Sequence, residues 1–426
     1  MTYKGTLSKA LMGAILLVLA GCLGRQTESA IVLTWWVTFA QDSQEYPVFQ
    51  SLAEAYTAET GQRVKLVSVP WADIVPWGYG DSQLAIAQKS GTGPDLWGPV
   101  PHNWTGSFAA QGQALPLEPH QVKIDPYIDA AVWACQFDQK LYALPILIDS
   151  LALIYNVDMV PDPPRHFDEL LEIARTLTDA EKDQWGLALP LLSQYHTYPF
   201  IEGYGGYLFQ RTQAECNVDD IGLNNQGAVQ GVQFLSDLYL QEKLFPEQLA
   251  DRAVMHSHAL HLFTQGRAAM LIDGSWVMPE IRASGIRYGV STIPPLPGTT
   301  RQPRPLSIVQ ALYISAGSPH PDQAVAFLAY LSKPEQVTAL QAILGKAPVR
   351  RDVMRSATFE DHSEVDAWYR QAMASTPLPN TPELDMVWRP WGQALDEAIP
   401  GLTPVQEALD RAVQEIKGAI EDAREE

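Results

Sequence analysis

The chain has 426 residues, a formal net charge of −20, and 46% hydrophobic against 18% charged residues. That length exceeds one ordinary core and predicts two domains or lobes, and the hydrophobic content excludes a disordered chain. The acidic balance excludes a binder of nucleic-acid backbone, which needs a basic face.

The first segment reads as an address rather than as fold. Lys4 and Lys9 flank the start of an apolar run, Ala10 to Ala20, of signal-peptide length and too short to span a bilayer. It ends in Leu19-Ala20-Gly21-Cys22, which resembles the lipobox of bacterial lipoproteins. Residues 1–21 are therefore expected to be a lipoprotein signal peptide, Cys22 the lipidated residue, and residues 22–30 a polar tether. No later apolar run approaches the roughly eighteen residues of a membrane span, so the membrane would be reached through the N-terminal lipid only.

Ile31–Val37 reads as a buried strand, Val48–Thr60 as a helix closed by Gly61, and Val64–Val69 as the next strand. This strand–helix–strand order implies a parallel α/β sheet. Loops after such strands lie at the edge where open α/β folds bind ligands. Aromatics mark two of them: Trp35, Trp36 and Phe39 precede the first helix, and Trp71 with Trp77 follows the second strand. Gln83–Lys89 reads as a helix, and Ser90-Gly91-Thr92-Gly93 lacks the Lys-Ser/Thr of a phosphate loop and reads as a turn. His102-Asn103-Trp104 leads into the helix Thr105–Gln111.

Two short apolar runs follow, Ala143–Ile148 and Leu151–Tyr155, with Asp149-Ser150 between them. Both have strand length and β-branched content. An ionised carboxylate with such neighbours must face water, a cation or hydroxyl donors, because burying it unpaired is prohibitive. The residues leave two readings open: a hairpin with Asp149 wet at its tip, or a chain crossing between lobes with Asp149 on a cleft wall.

Further on, Phe167–Thr178 is an amphipathic helix, Trp185–Leu189 a strand, and Tyr195–Tyr207 a stretch dense in aromatics and glycine. Gln226–Leu240 and His258–Gln265 read as helices, and Ala268–Asp273 as a strand that ends at Gly274-Ser275-Trp276. Tyr288–Ile293 and Ala311–Ile314 read as strands, and Asp322–Leu331, Pro334–Ala342, Trp391–Ala398 and Val405–Ala423 as helices.

The chain carries 12 tryptophans and 16 tyrosines, many outside periodic core positions. Flat aromatic faces stack on the C–H faces of sugars while carboxylates and amides bond to hydroxyls. Enzyme chemistry finds less support. No G-x-S-x-G elbow is present. A long-range carboxylate pair such as Asp149 with Glu202 would serve glycoside hydrolysis only at a separation of roughly 5 or 6.5–9.5 Å, which the sequence does not fix. His256, His258 and His261 read as solvated, Cys135 and Cys216 as unpaired, and no metal or cofactor site is expected.

Several stretches, in the right order, resemble the extracellular solute-binding proteins of carbohydrate ABC transporters, most closely the maltose/maltodextrin-binding protein family. They are Gly93-Pro-Asp-Leu96, Leu144–Asn156 with Pro161–Pro164, Tyr195–Pro199 with Gly205–Tyr207, Gly266–Met270 through Trp276, and Tyr288–Val290. The resemblance runs from Leu33 to the last helix. It implies a two-lobed α/β periplasmic-binding-protein fold, with residues 31–147 and 312–357 as one lobe and 152–306 and 364–426 as the other. Hinge strands would cross near 148–151, 307–311 and 358–363.

Residue by residue, it places Asp149 on a sugar-binding glutamate, one methylene shorter, Tyr195 on a stacking tyrosine, and Trp276 and Trp388 on stacking tryptophans. Asn103 replaces an acid that bonds to sugar hydroxyls, beside Trp104, and Arg389 stands where an aromatic is common. Asp42 and Trp71 complete the expected site. The resemblance implies a maltose, maltodextrin or related glucoside as ligand, delivery to an ABC permease, a monomer, and a lipid anchor on the outer face of the cytoplasmic membrane. Trehalose or another small glucoside is the alternative ligand, and an exported glycoside hydrolase the alternative function.

Overall fold

The computed structural model describes residues 31–75, 82–118, 121–211, 216–344, 346–356 and 363–425. The signal peptide, Cys22, the tether, Trp77 and most of the crossing expected near 358–363 lie outside these residues.

The strands Arg63–Ser68, Val32–Val37 and Leu96–Pro101 lie side by side and parallel, with the helix Tyr46–Thr60 connecting the first two in sequence. That helix stops at Gly61, whose φ of 78° is left-handed and suits a residue without Cβ. Beyond Leu96–Pro101 comes the strand Leu306–Ile314, antiparallel to it, and then the long strand Ala143–Asn156. The apolar run of the sequence marked only Ala311–Ile314, because Ser307 and Gln310 interrupt the first half of this strand.

The long strand removes the hairpin reading of Asp149-Ser150. It continues without a turn through Asp149 and Ser150 for 14 residues, 13 of them buried. Residues 143–150 pair with Leu306–Ile314, and residues 151–156 pair with Ala268–Gly274 and Tyr288–Ser291. Trp185–Ala188 then runs parallel to Ala268–Gly274. One strand thus belongs to two sheets, and its pairing changes partner one residue past Ser150. Helices cover both faces, which is why the strand reads as apolar throughout rather than alternating.

The stretch after Leu189 holds a helix, Gln194–Gly203, with Pro199 inside it and its last eight residues buried. A helix buried all round carries no amphipathic stripe, so periodicity could not reveal it. The helices Asp385–Ala398 and Val405–Glu425 pack against each other near the chain end. Cys135 and Cys216 are both free, and burial pushes the Cys135 thiol well up. Among the described residues no helix is long and apolar enough to cross a membrane.

Candidate functional site

Asp149 sits on the long strand opposite Ile308 and is only 5% exposed. Its Oδ1 accepts from the Lys346 ammonium at 2.7 Å and from the Ser275 hydroxyl. Lys346 arrives on the segment that follows the helix Pro334–Leu344, and the next residue, Ala347, bridges to Ile148 of the long strand. The cation and the hydroxyl together meet the cost of holding a carboxylate away from water. Lys346 was invisible to motif reading, a lone lysine in a loop 197 residues from its partner.

Ser275 and Trp276 form a 3-10 turn where the strand Ala268–Gly274 ends. A Cβ on Gly274 would lie 2.2 Å from the Trp276 ring, so the indole lies across bare backbone. Trp276 remains 41% exposed and meets the Tyr195 ring at 5.8 Å with 63° between the planes. The Tyr195 hydroxyl donates to the Leu306 carbonyl at 2.7 Å. Burial, then the charges of Asp149 and Asp273, push that phenol well above its ordinary value. Tyr195 therefore stays neutral, its hydroxyl committed to the strand behind it.

A buried polar chain holds this aromatic corner. Ser193 Oγ lies 2.8 Å from His196 Nδ1, and His196 Nε2 donates to Asp273 Oδ1 at 3.3 Å. The same carboxylate oxygen accepts the Gly274 N–H at 2.7 Å. The start of the Tyr195 helix is thereby tied to the turn that presents Trp276. Trp388 stacks on the buried Trp391 at 6.1 Å and 16°, and its carbonyl accepts from the Gln194 side chain at 2.7 Å. The helix carrying Trp388 is so fixed to the residue preceding Tyr195.

Two cavities adjoin here. One, of about 260 Å³, is walled by Phe39, Trp71, Pro99, Leu147 and Gln310 from loops and strands of the first sheet. The other, of about 350 Å³, is walled by Gln44 and by Ser275, Trp276, Pro279 and Arg282 at the end of the second sheet. Glu45, Leu344 and Lys346 line both.

The structure brings Asp149, Tyr195 and Trp276 together, and Trp71, 44% exposed, walls the neighbouring cavity. Asp42 and Arg389 are exposed, and Asn103 is half-buried. Trp104, 4% exposed, packs in the core. None of these last four lines either cavity, and neither do Asp149, Tyr195 or Trp388; of the expected residues only Trp71 and Trp276 stand on the cavity walls.

The neighbour of Asn103 has a different role. His102 Nδ1 accepts from the Val309 N–H at 3.0 Å, and its Nε2–H donates to the Leu378 carbonyl at 2.9 Å. Two backbone partners of opposite sense fix a neutral ring, and burial lowers its pKa to about 4. The carboxylates weighed for hydrolysis are each engaged with their own cation, Asp149 with Lys346 and Glu202 with Arg301. Glu202 also accepts the Arg304 N–H at 2.7 Å.

The family profile described as bacterial extracellular solute-binding protein matches residues 40–338. The galactooligosaccharide-binding protein of Bacillus subtilis (strain 168) is 27% identical over 423 residues, covering 96% of each chain. The maltooligosaccharide ABC transporter solute-binding lipoprotein of Streptococcus pneumoniae serotype 4 is 26% identical over 427 residues, covering 99% of this chain and 97% of that one. Among solved structures, a cyclo/maltodextrin-binding protein complexed with maltotetraose is similar with a TM-score of 0.82 and 26% identity. That likeness covers 91% of this chain and 97% of the other.

Proposed function

We propose, given that this chain belongs to the family of bacterial extracellular solute-binding proteins, that it captures a short neutral saccharide between two lobes and delivers it to an ABC importer. The observation that carries the reading is the corner where Asp149, held by Lys346 and Ser275, stands beside the steeply set rings of Tyr195 and Trp276. Aromatic faces offer apolar area to sugar C–H groups, and a fixed carboxylate accepts from hydroxyls. Gln44, Glu45 and Gln310 add hydrogen-bonding groups along the same walls. Relatives that match include proteins named for maltotriose, maltodextrin, maltooligosaccharide or galactooligosaccharide binding.

In this reading residues 31–147 and 312–357 form one lobe and 152–306 and 364–426 the other. A ligand that touches both walls binds the closed arrangement more tightly and shifts the population toward it, and the closed form docks on the permease. A maltodextrin-like glucoside is the favoured ligand, because several of the similar proteins are named for maltotriose, maltodextrin or maltooligosaccharide. The protein does no chemistry on it, acts as a monomer, and is held at the outer face of the membrane by lipid on Cys22.

A thermal-shift screen of the full chain with maltose, maltotriose, maltotetraose, trehalose and galactooligosaccharides tests this. A ligand at a hundred times its Kd adds about 2.7 kcal/mol to apparent stability. At least one saccharide is expected to raise Tm by several degrees. A chain that no saccharide stabilises, or one that releases new reducing ends from them, removes the reading.

A further inference from the structure

Lys346 stands on the wall common to both cavities, with its side chain 19% exposed. Its ammonium and the Ser275 hydroxyl bind the same oxygen of Asp149, Oδ1. Among the described residues nothing donates to Oδ2. The two donors come from distant parts of the chain and line one cavity. Ser275 ends a strand of the second sheet, and Lys346 follows a helix that packs on the helix Tyr46–Thr60 of the first. Arg282, the other cation among the described lining residues, is engaged by Glu364 at 2.6 Å.

We propose that Lys346 is the positioning residue for the sugar-contacting carboxylate. It clamps Oδ1, together with Ser275, so that Oδ2 is presented to a ligand hydroxyl before the ligand arrives. This rests on the reading of Asp149 as a saccharide contact. The physical gain is preorganisation. A carboxylate that is already oriented loses little freedom on binding, and a charge-assisted bond holds it more firmly than a neutral one.

The test is calorimetric titration of the full chain with maltotriose, at one pH and ionic strength, in a double-mutant cycle. The chains are wild type, Lys346→Met, Asp149→Asn and the double variant, with Lys346→Arg as the conservative replacement and Lys346→Gln in reserve should the methionine variant misfold. Lys346→Met is expected to weaken binding about tenfold, while Lys346→Arg stays within about threefold of wild type. Once Asp149 is asparagine, the same methionine is expected to cost less than about threefold, because the ammonium then holds only a neutral amide oxygen. A methionine penalty equal in both backgrounds, or absent in both, overturns the proposal while Asp149 remains a contact. Wild-type affinity in Asp149→Asn alone overturns the underlying reading and the clamp with it.

Discussion

Trp276 and Asp149 face solvent in opposite degrees, and truncating them should have opposite consequences for the free protein. The indole is 41% exposed and lies over Gly274, so Trp276→Ala removes little core. It is expected to weaken saccharide binding while Tm of the free chain moves by no more than a degree or two. A loss of the 3–5 kcal/mol or so typical of buried aromatics would mark the ring as structural. Asp149→Ala differs, because it strands a largely buried ammonium. It should cost the free chain about 1–3 kcal/mol in chemical denaturation as well as binding. The sequence alone did not carry that second cost, since it depends on Lys346.

His102 supplies a pH dependence. Its folded pKa of about 4 lies below the ordinary 6.5, so between these values the unfolded chain binds more protons than the folded one. Stability therefore rises with pH across that window and is lost as pH falls from about 6.5 to about 4. For one such group the full span amounts to about 3 kcal/mol. Urea midpoints of wild type and His102→Gln, measured from pH 7 to 4, should show a flatter profile for the variant. Equal slopes would deny the histidine this role.

At the scale of elements, the site depends on two short joints. Gly274 lets the Trp276 ring lie across the backbone, and a methyl there would overlap the indole. Gly274→Ala is expected to swing the exposed ring outward, which should cut saccharide affinity more than stability in paired titration and melting experiments. Tyr195 shows the reverse. Its hydroxyl ties the helix Gln194–Gly203 to the carbonyl of Leu306, so Tyr195→Phe keeps the ring and loses only that bond. About 1 kcal/mol of stability should go while binding holds.

How far these elements could be read from the sequence followed from burial. The strand Val32–Val37 and the helices Phe167–Leu177 and Gln226–Leu240 announce themselves by period or by apolar run. The Tyr195 helix does not, because it is enclosed on nearly every side and holds a proline. The long strand was legible except at Asp149-Ser150, where polar residues mimic a turn until a cation elsewhere in the chain is supplied. Asp149, Tyr195 and Trp276, far apart in the sequence, lie at one corner of the fold. Lys346 and the Ser193–His196–Asp273 chain were beyond reach, because neither has local spacing that marks it. Trp104 reads like a binding aromatic in its tripeptide, yet the surrounding strands draw it into the core.

For the whole molecule, closure is the property to measure. If saccharide bridges the two cavity walls, small-angle scattering of the full chain should show a smaller radius of gyration with ligand than without. Tight binding with no change in that radius would favour a groove already closed before ligand enters.

The strand Leu306–Ile314 lies between Leu96–Pro101 and the long strand, although both of its neighbours are made far earlier on the ribosome. Until it emerges, those neighbours present unsatisfied edges toward each other. Once the long strand is made, the wait for about 150 further residues is roughly 8–30 s at ordinary synthesis rates. The nascent polypeptide thus stays incomplete, and open to export machinery or chaperones, for most of its translation. A fragment ending before Leu306 should accordingly be digested quickly by a protease that the finished protein resists.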